Sequence, residues 1–178
     1  ESESPEIRQR RQEEERIGQV NELAATFFSR ALWGAGAQGA RGYLSGRDIP
    51  EGFAREHRLG YGGTSKELFA YFEDKKVTLE MAATAGLLNE ARTRCLFDGR
   101  LMFPITSRTG SIVGFGARRL GDDNSGPKYV NTRESVLFKK SELLYGWGTA
   151  HKAIRHTGRV LLVEGYTDVL ACVRAGVP

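Results

Sequence analysis

Arg159-Val160-Leu161-Leu162-Val163-Glu164-Gly165-Tyr166-Thr167-Asp168 is the stretch on which the reading of the fold turns. Four consecutive apolar residues, Val160 to Val163, predict a short strand buried on both faces. The Val169-Leu170-Ala171-Cys172-Val173 run predicts a helix packing back on that strand. Glu164 then stands at the strand's carboxyl end, the edge at which open α/β sheets bind ligands. Gly165 permits the sharp turn. Asp168 falls in the first helical turn, four residues on, so the two carboxylates can face one pocket and share a divalent cation and a phosphate. An acid in a first turn also complements the helix dipole, and residue types alone leave both readings open.

The chain has 178 residues, 26 Lys and Arg against 22 Asp and Glu, for a net charge of +4. That length can bury a real core, and the composition excludes a disordered protein. Cys95 and Cys172 lie far apart, and His57, His151 and His156 fall at no usual ligand spacing, so neither a disulfide framework nor a structural zinc site is predicted. No apolar run approaches membrane-spanning length and the amino terminus is not signal-like, so a cytoplasmic location is expected. The charge is unevenly spread. Residues 92–159 hold thirteen Lys or Arg and five Asp or Glu, a local excess of +8 leading up to the carboxylate motif. Such an excess suits a polyanionic partner, of which nucleic acid is the commonest; a well-solvated surface is the plainer alternative.

Working outward, residues 1–16 are almost wholly polar and read as an exposed helical lead-in or linker. From Ile17 the apolar residues recur at Val20, Ala24, Phe27, Phe28, Ala31 and Leu32, predicting a helix that ends near Gly34 and Gly36. Short helices are expected at 40–44, from Pro50 to about Arg58, at 66–72 and at 79–85, with an extended glycine-rich segment at Leu59–Gly63. Tyr43 and Arg41, on the first of these, are read as scaffold. Leu101–Ile105 and Ser111–Gly116 predict a hairpin around Ser107–Gly110. Gly114 and Gly116 are not followed by a helix and so do not form a dinucleotide loop; they read as bulges or places of close backbone approach. A polar loop at 122–126, an extended Pro127–Asn131, a loop with Lys139 and Lys140, and a helix near 149–156 complete the chain.

The ordered set Arg100–Ile105, Gly114–Arg118, Pro127-Lys128-Tyr129-Val130-Asn131, Phe138-Lys139-Lys140, Leu144-Tyr145-Gly146 and Glu164–Asp168 resembles the catalytic core of bacterial replicative DNA primase. The resemblance implies an α/β architecture, a mixed α+β amino-terminal subdomain over 17–157 followed at 158–178 by the first strand-helix unit of a Toprim fold. It implies an RNA polymerase that makes short primers on a single-stranded DNA template by metal-dependent nucleotidyl transfer. Glu164 and Asp168 match the family's catalytic and metal-linked acids, with Mg²⁺ or Mn²⁺ as cofactor. Arg118, Lys128 and Lys140 match basic positions held to contact template or nucleotide, and Tyr129 flanks one of them. Asp98 stands where several members carry a basic residue. The implied partners are template, NTPs, nascent primer and, through a carboxy-terminal domain, the replicative helicase, in a replisome-associated cytoplasmic setting.

The family's zinc-binding domain, its helicase-binding domain and the Asp-x-Asp carboxylates are expected outside these 178 residues, which makes the chain a fragment by this reading and inactive alone. A phage-type primase-helicase is the neighbouring alternative, although no Walker motif is present. A noncatalytic single-strand or nucleotide-binding module is the alternative from another class.

Overall fold

The computed structural model describes residues 4–121 and 126–177. Most of the polar loop expected at 122–126, and the first three residues of the lead-in, lie outside the described residues. Helix α1 spans Pro5–Ala31 and starts where the local chemistry favours it. Ser4 accepts a hydrogen bond from the Ile7 N–H at 3.3 Å, and Pro5 occupies the first turn, where its missing N–H costs nothing. The polar lead-in is therefore continuous with the apolar helix rather than a separate linker. Its exposed face carries Arg10–Glu14 and Arg11–Glu15 pairs at 3.0 and 3.9 Å, which support isolated helix by a few tenths of a kcal/mol each. Burial begins at Ile17 and continues through Val20, Asn21, Ala24, Ala25 and Phe28.

After a 3₁₀ turn at Ala35–Ala37 come α2 (Gln38–Ser45), α3 (Glu51–Glu56) and strand β1 (Gly60–Tyr61). Helices α4 (Ser65–Asp74) and α5 (Leu79–Thr84) follow, each opened by a threonine cap. Thr64 and Glu67 close a reciprocal capping box, and the Thr78 hydroxyl accepts from the Met81 N–H. Strands β2 (Arg100–Thr106) and β3 (Ile112–Arg119) form the expected hairpin, and β4 (Tyr129–Asn131) pairs with β3. The sheet is antiparallel throughout, in the order β1-β2-β3-β4. A second 3₁₀ turn at Lys140–Glu142, α6 (Trp147–Thr157) and α7 (Tyr166–Arg174) complete the described chain.

The pleat sorts the side chains of the sheet onto two faces. Met102, Phe115 and Ala117 join the cluster built on α1, where the Phe28 ring meets Phe115 and Phe97 edge-on at 5.3 and 6.0 Å. Leu101 and Phe103 point the other way, into a cluster with Leu32, Leu44, Leu59 and, from α7, Leu170. Each fully buried Phe or Leu contributes roughly 1.5–3 kcal/mol of transfer free energy. The ladder between β3 and β4 is extended by a side chain. Thr132 donates its N–H to the Phe115 carbonyl at 2.9 Å, while its buried hydroxyl accepts from the Phe115 N–H at 2.7 Å.

The expected strand at Val160–Val163 does not form. Val160, Leu161 and Leu162 are 63%, 53% and 76% exposed, and no strand pairs with them among the described residues. An apolar run becomes a buried strand only when neighbouring strands satisfy its backbone, and among the described residues no strand lies beside this one. The helix expected after it, α7, is present and packs on the sheet through Leu170.

Candidate functional site

Tyr166 fixes the Glu164–Asp168 motif to the sheet. Its ring stacks on Phe103 with centroids 4.9 Å apart and planes 11° from parallel, and meets the Tyr145 ring edge-on at 4.8 Å. Its hydroxyl donates to Asn131 Oδ1 at 2.6 Å. The ring occupies the space over Gly116, where an added Cβ would lie 2.2 Å from Tyr166 Cζ. Phe138 covers Gly114 in the same manner, at 2.5 Å from a Cβ to Cδ2. Both glycines face the same side of β3, opposite Phe103 and Ile105 of β2, and they are the places of close approach that the sequence predicts. Burial pushes the Tyr166 phenol above its usual range. The neighbouring Tyr129 adds to that shift, and the bond to Asn131 opposes it.

This anchoring places Glu164 and Asp168 on the wall of one cavity of about 960 Å³. Tyr129, Asn131 and Lys140 line the same cavity from the sheet side, and its apolar depth comes from Trp147, Ile154 and the Val160–Val163 arm. Both carboxylates are exposed. Asp168 Oδ2 accepts from the Gly165 N–H at 3.2 Å and so closes the first turn of α7, which is the plain structural role open to an acid at that position. Its other oxygen and the whole Glu164 carboxylate can serve a ligand. Among the described residues no group of three or more His, Cys, Asp or Glu stands close enough to hold a metal ion. Two carboxylates are fewer than the six or more oxygen ligands that a hard cation takes.

The basic candidates divide. Arg118 is half-buried on the Tyr166 side of the sheet, with its guanidinium 4.0 Å from the Tyr43 ring centre and 6.0 Å from that of Tyr129. Its Nη1 donates to the Arg119 carbonyl at 3.1 Å, and its Nε is buried without a partner. Arg47 approaches the same Tyr43 ring at 5.5 Å. Lys140 is exposed in its 3₁₀ turn on the cavity wall. Lys128 is also exposed. It lies outside the cavity lining, and its carbonyl accepts from the Arg119 N–H at 2.8 Å. Tyr129, Lys140, Glu164 and Asp168 thus share one cavity, and Arg118 reaches it through Tyr129.

Sequence reasoning missed Tyr43, Arg47 and the anchoring part of Tyr166. Tyr43 sits on a helix whose apolar pattern marks scaffold, and no local spacing announces its meeting with Arg118. Asp98 proves to be a clasp: both its oxygens accept from the Ser65 hydroxyl, at 2.8 and 2.7 Å, with Arg94 3.8 Å away. Among the described residues no helix is long and apolar enough to cross a membrane.

Comparison with known proteins agrees with this arrangement. Residues 27–151 match the family of the DNA primase catalytic core, N-terminal domain. The DNA primase of Streptomyces coelicolor is 37% identical over 166 residues, covering 91% of this chain and 26% of that protein. The DNA primase of Halalkalibacterium halodurans is 37% identical over 180 residues, covering 98% and 30%. The chain thus spans between a quarter and a third of the length of these relatives. The RNA polymerase domain of the Mycobacterium tuberculosis primase, solved in complex with a double-stranded DNA oligomer carrying a 6-nucleotide overhang, superposes with a TM-score of 0.84. It is 38% identical and covers 92% of this chain and 52% of its own. On the strength of the family match and of the sheet, helices and motif described above, the chain belongs to the DNA primase catalytic core, N-terminal domain family.

Proposed function

We propose that this chain is the amino-terminal part of the catalytic core of a primase that makes short RNA primers on single-stranded DNA. Residues 17–157 form the subdomain that holds template and nucleotide, and 158–178 begin the Toprim domain. The observation that carries this reading is the Tyr166 anchor, which presents Glu164 and Asp168 beside Tyr129 and Lys140. Nucleotidyl transfer needs carboxylates next to cations that neutralise a triphosphate, and this cavity offers both. Glu164 accepts a proton or helps to hold a cation, and Asp168 assists while capping α7. Lys140 and Arg118 face phosphate, Lys128 extends the basic surface at its margin, and Tyr129 stacks on a base.

Mg²⁺ or Mn²⁺ would be held in part by Glu164 and Asp168 and would supply charge neutralisation at the reacting phosphate. A primase solved with single-stranded DNA bound to its catalytic domain has a TM-score of 0.80 and 30% identity to this chain, which supports template as a partner. NTPs, the nascent primer and a replicative helicase are the further partners of this reading, in a replisome-associated setting.

The test is Glu164→Gln in the full-length protein, which keeps the shape and removes the charge and the proton-accepting oxygen. Primer synthesis should collapse while template binding is retained. Near-normal turnover would remove Glu164 from the chemistry.

A further inference from the structure

Eight of the 26 Lys and Arg side chains of this molecule stand beside an acid among the described residues. Arg10, Arg11, Arg55, Arg58, Lys75, Arg94, Arg133 and Lys139 each have a carboxylate within 4.0 Å. Helix α6 and its flanks have no acid of their own to pair with. From Leu143 to Val163 the sequence contains no Asp or Glu, yet it carries Lys152, Arg155, His156 and Arg159. All four are exposed, and none has an acidic partner among the described residues.

The spacing on the helix separates these charges from the cavity. Trp147, Ala150 and Ile154, three and four residues apart, line the cavity that holds Glu164 and Asp168. Lys152 and Arg155 are three apart on another side of α6, and Arg159 follows directly after the Gly158 cap. Two basic residues in the last turn complement the helix dipole, which accounts for Arg155 and His156. That effect falls off within a turn, and it does not account for Lys152 or for Arg159 outside the helix. An unneutralised row of this kind is the electrostatic footprint of a phosphodiester backbone.

We propose that the outer face of α6, formed by Lys152, Arg155 and Arg159, is a second phosphate-contacting surface, separate from Arg118 and Lys140 and on the far side of the cavity wall from them. It takes nucleic acid by its backbone, without reading bases. The proposal rests on the nucleic-acid function given above but concerns residues that function does not use.

The experiment measures binding by fluorescence anisotropy in the full-length protein, as a function of salt, with a single-stranded and a duplex oligonucleotide as probes. Lys152→Ala with Arg155→Ala should lower the log-log salt slope by about 0.7 per charge for the single strand, or about 0.9 for the duplex, for all sequences alike. The probe whose slope moves identifies which form of backbone docks on α6. Arg10→Ala with Arg11→Ala removes two charges from α1 and should leave both slopes unchanged. Equal losses in the α1 and α6 pairs would reduce the effect to net charge and overturn the proposal. Unchanged slopes for α6 beside a lowered slope for Lys140→Ala would also overturn it while leaving the primase reading in place. Loss of neither slope, with Lys140→Ala silent too, would remove both. Thermal midpoints equal to the parent's should accompany every variant, because the substituted side chains are exposed.

Discussion

Tyr166 lies against the bare backbone of Gly116, at a distance that leaves no room for a methyl group between them. The carboxylate motif and the sheet are therefore joined by an absent side chain. Gly116→Ala should force the ring of Tyr166 out and cost about 1–3 kcal/mol in urea unfolding, as overpacking does. Gly42→Ala is the contrast, because a Cβ there meets nothing within 4 Å and the residue is inside α2. It should stabilise by roughly 0.5–1 kcal/mol. Equal effects at the two sites would contradict the contact.

Thr132→Val keeps the shape of a buried side chain and removes its oxygen. The Phe115 N–H, which donates to that oxygen at 2.7 Å, would be left buried without an acceptor. The expected cost is about 1–3 kcal/mol, and amide exchange at Phe115 should speed up in step with it. A neutral substitution would mean that water reaches the end of the ladder.

Alkaline pH should destabilise the fold in a defined order. Burial, opposed by the hydrogen bond with the Phe97 backbone and aided by the nearby Asp98 charge, raises the Cys95 thiol from 9.0 to about 12. Below pH 9 both states keep the proton and stability is flat. Above it the unfolded chain loses the proton first, so stability falls until the folded thiol itself ionises near 12. Tyr166, also raised by burial, adds to the decline above its ordinary value of 10.0. Urea midpoints from about pH 8 to about pH 11 should fall in the parent and fall less steeply in Cys95→Ser. Parallel curves would place the loss elsewhere.

Tyr129 is 44% exposed at the cavity and tilted against Tyr166 at 6.1 Å. If it stacks on a template base, Tyr129→Ala should weaken single-strand binding by about 1–3 kcal/mol, while Tyr129→Phe keeps most of it. A Phe variant as weak as Ala would assign the effect to the hydroxyl instead.

Much of the arrangement was legible in the residues themselves. The helices at 66–72 and 79–85, the hairpin around Ser107–Gly110, and the use of Gly114 and Gly116 as close-approach sites all follow from local chemistry that the final packing leaves intact. The partners of those glycines were not legible. Phe138 and Tyr166 reach them only because β3, β4 and α7 are brought together, and nothing near position 116 encodes that. Arg118 and Tyr43 belong to the same class, a guanidinium and a ring joined by tertiary approach. The Val160–Val163 run misled for a different reason. Its pattern reports a preference for burial between strands, and preference becomes structure only where other strands supply the hydrogen bonds.

That same run has a practical consequence for handling the polypeptide. Four consecutive aliphatic residues outside any strand, three of them largely exposed, make a template onto which a second molecule can zip. Solutions of residues 1–178 should scatter more light as concentration rises, with the growth of β signal in the infrared. A lysine at Leu162, which is 76% exposed, would act as a gatekeeper and keep them clear.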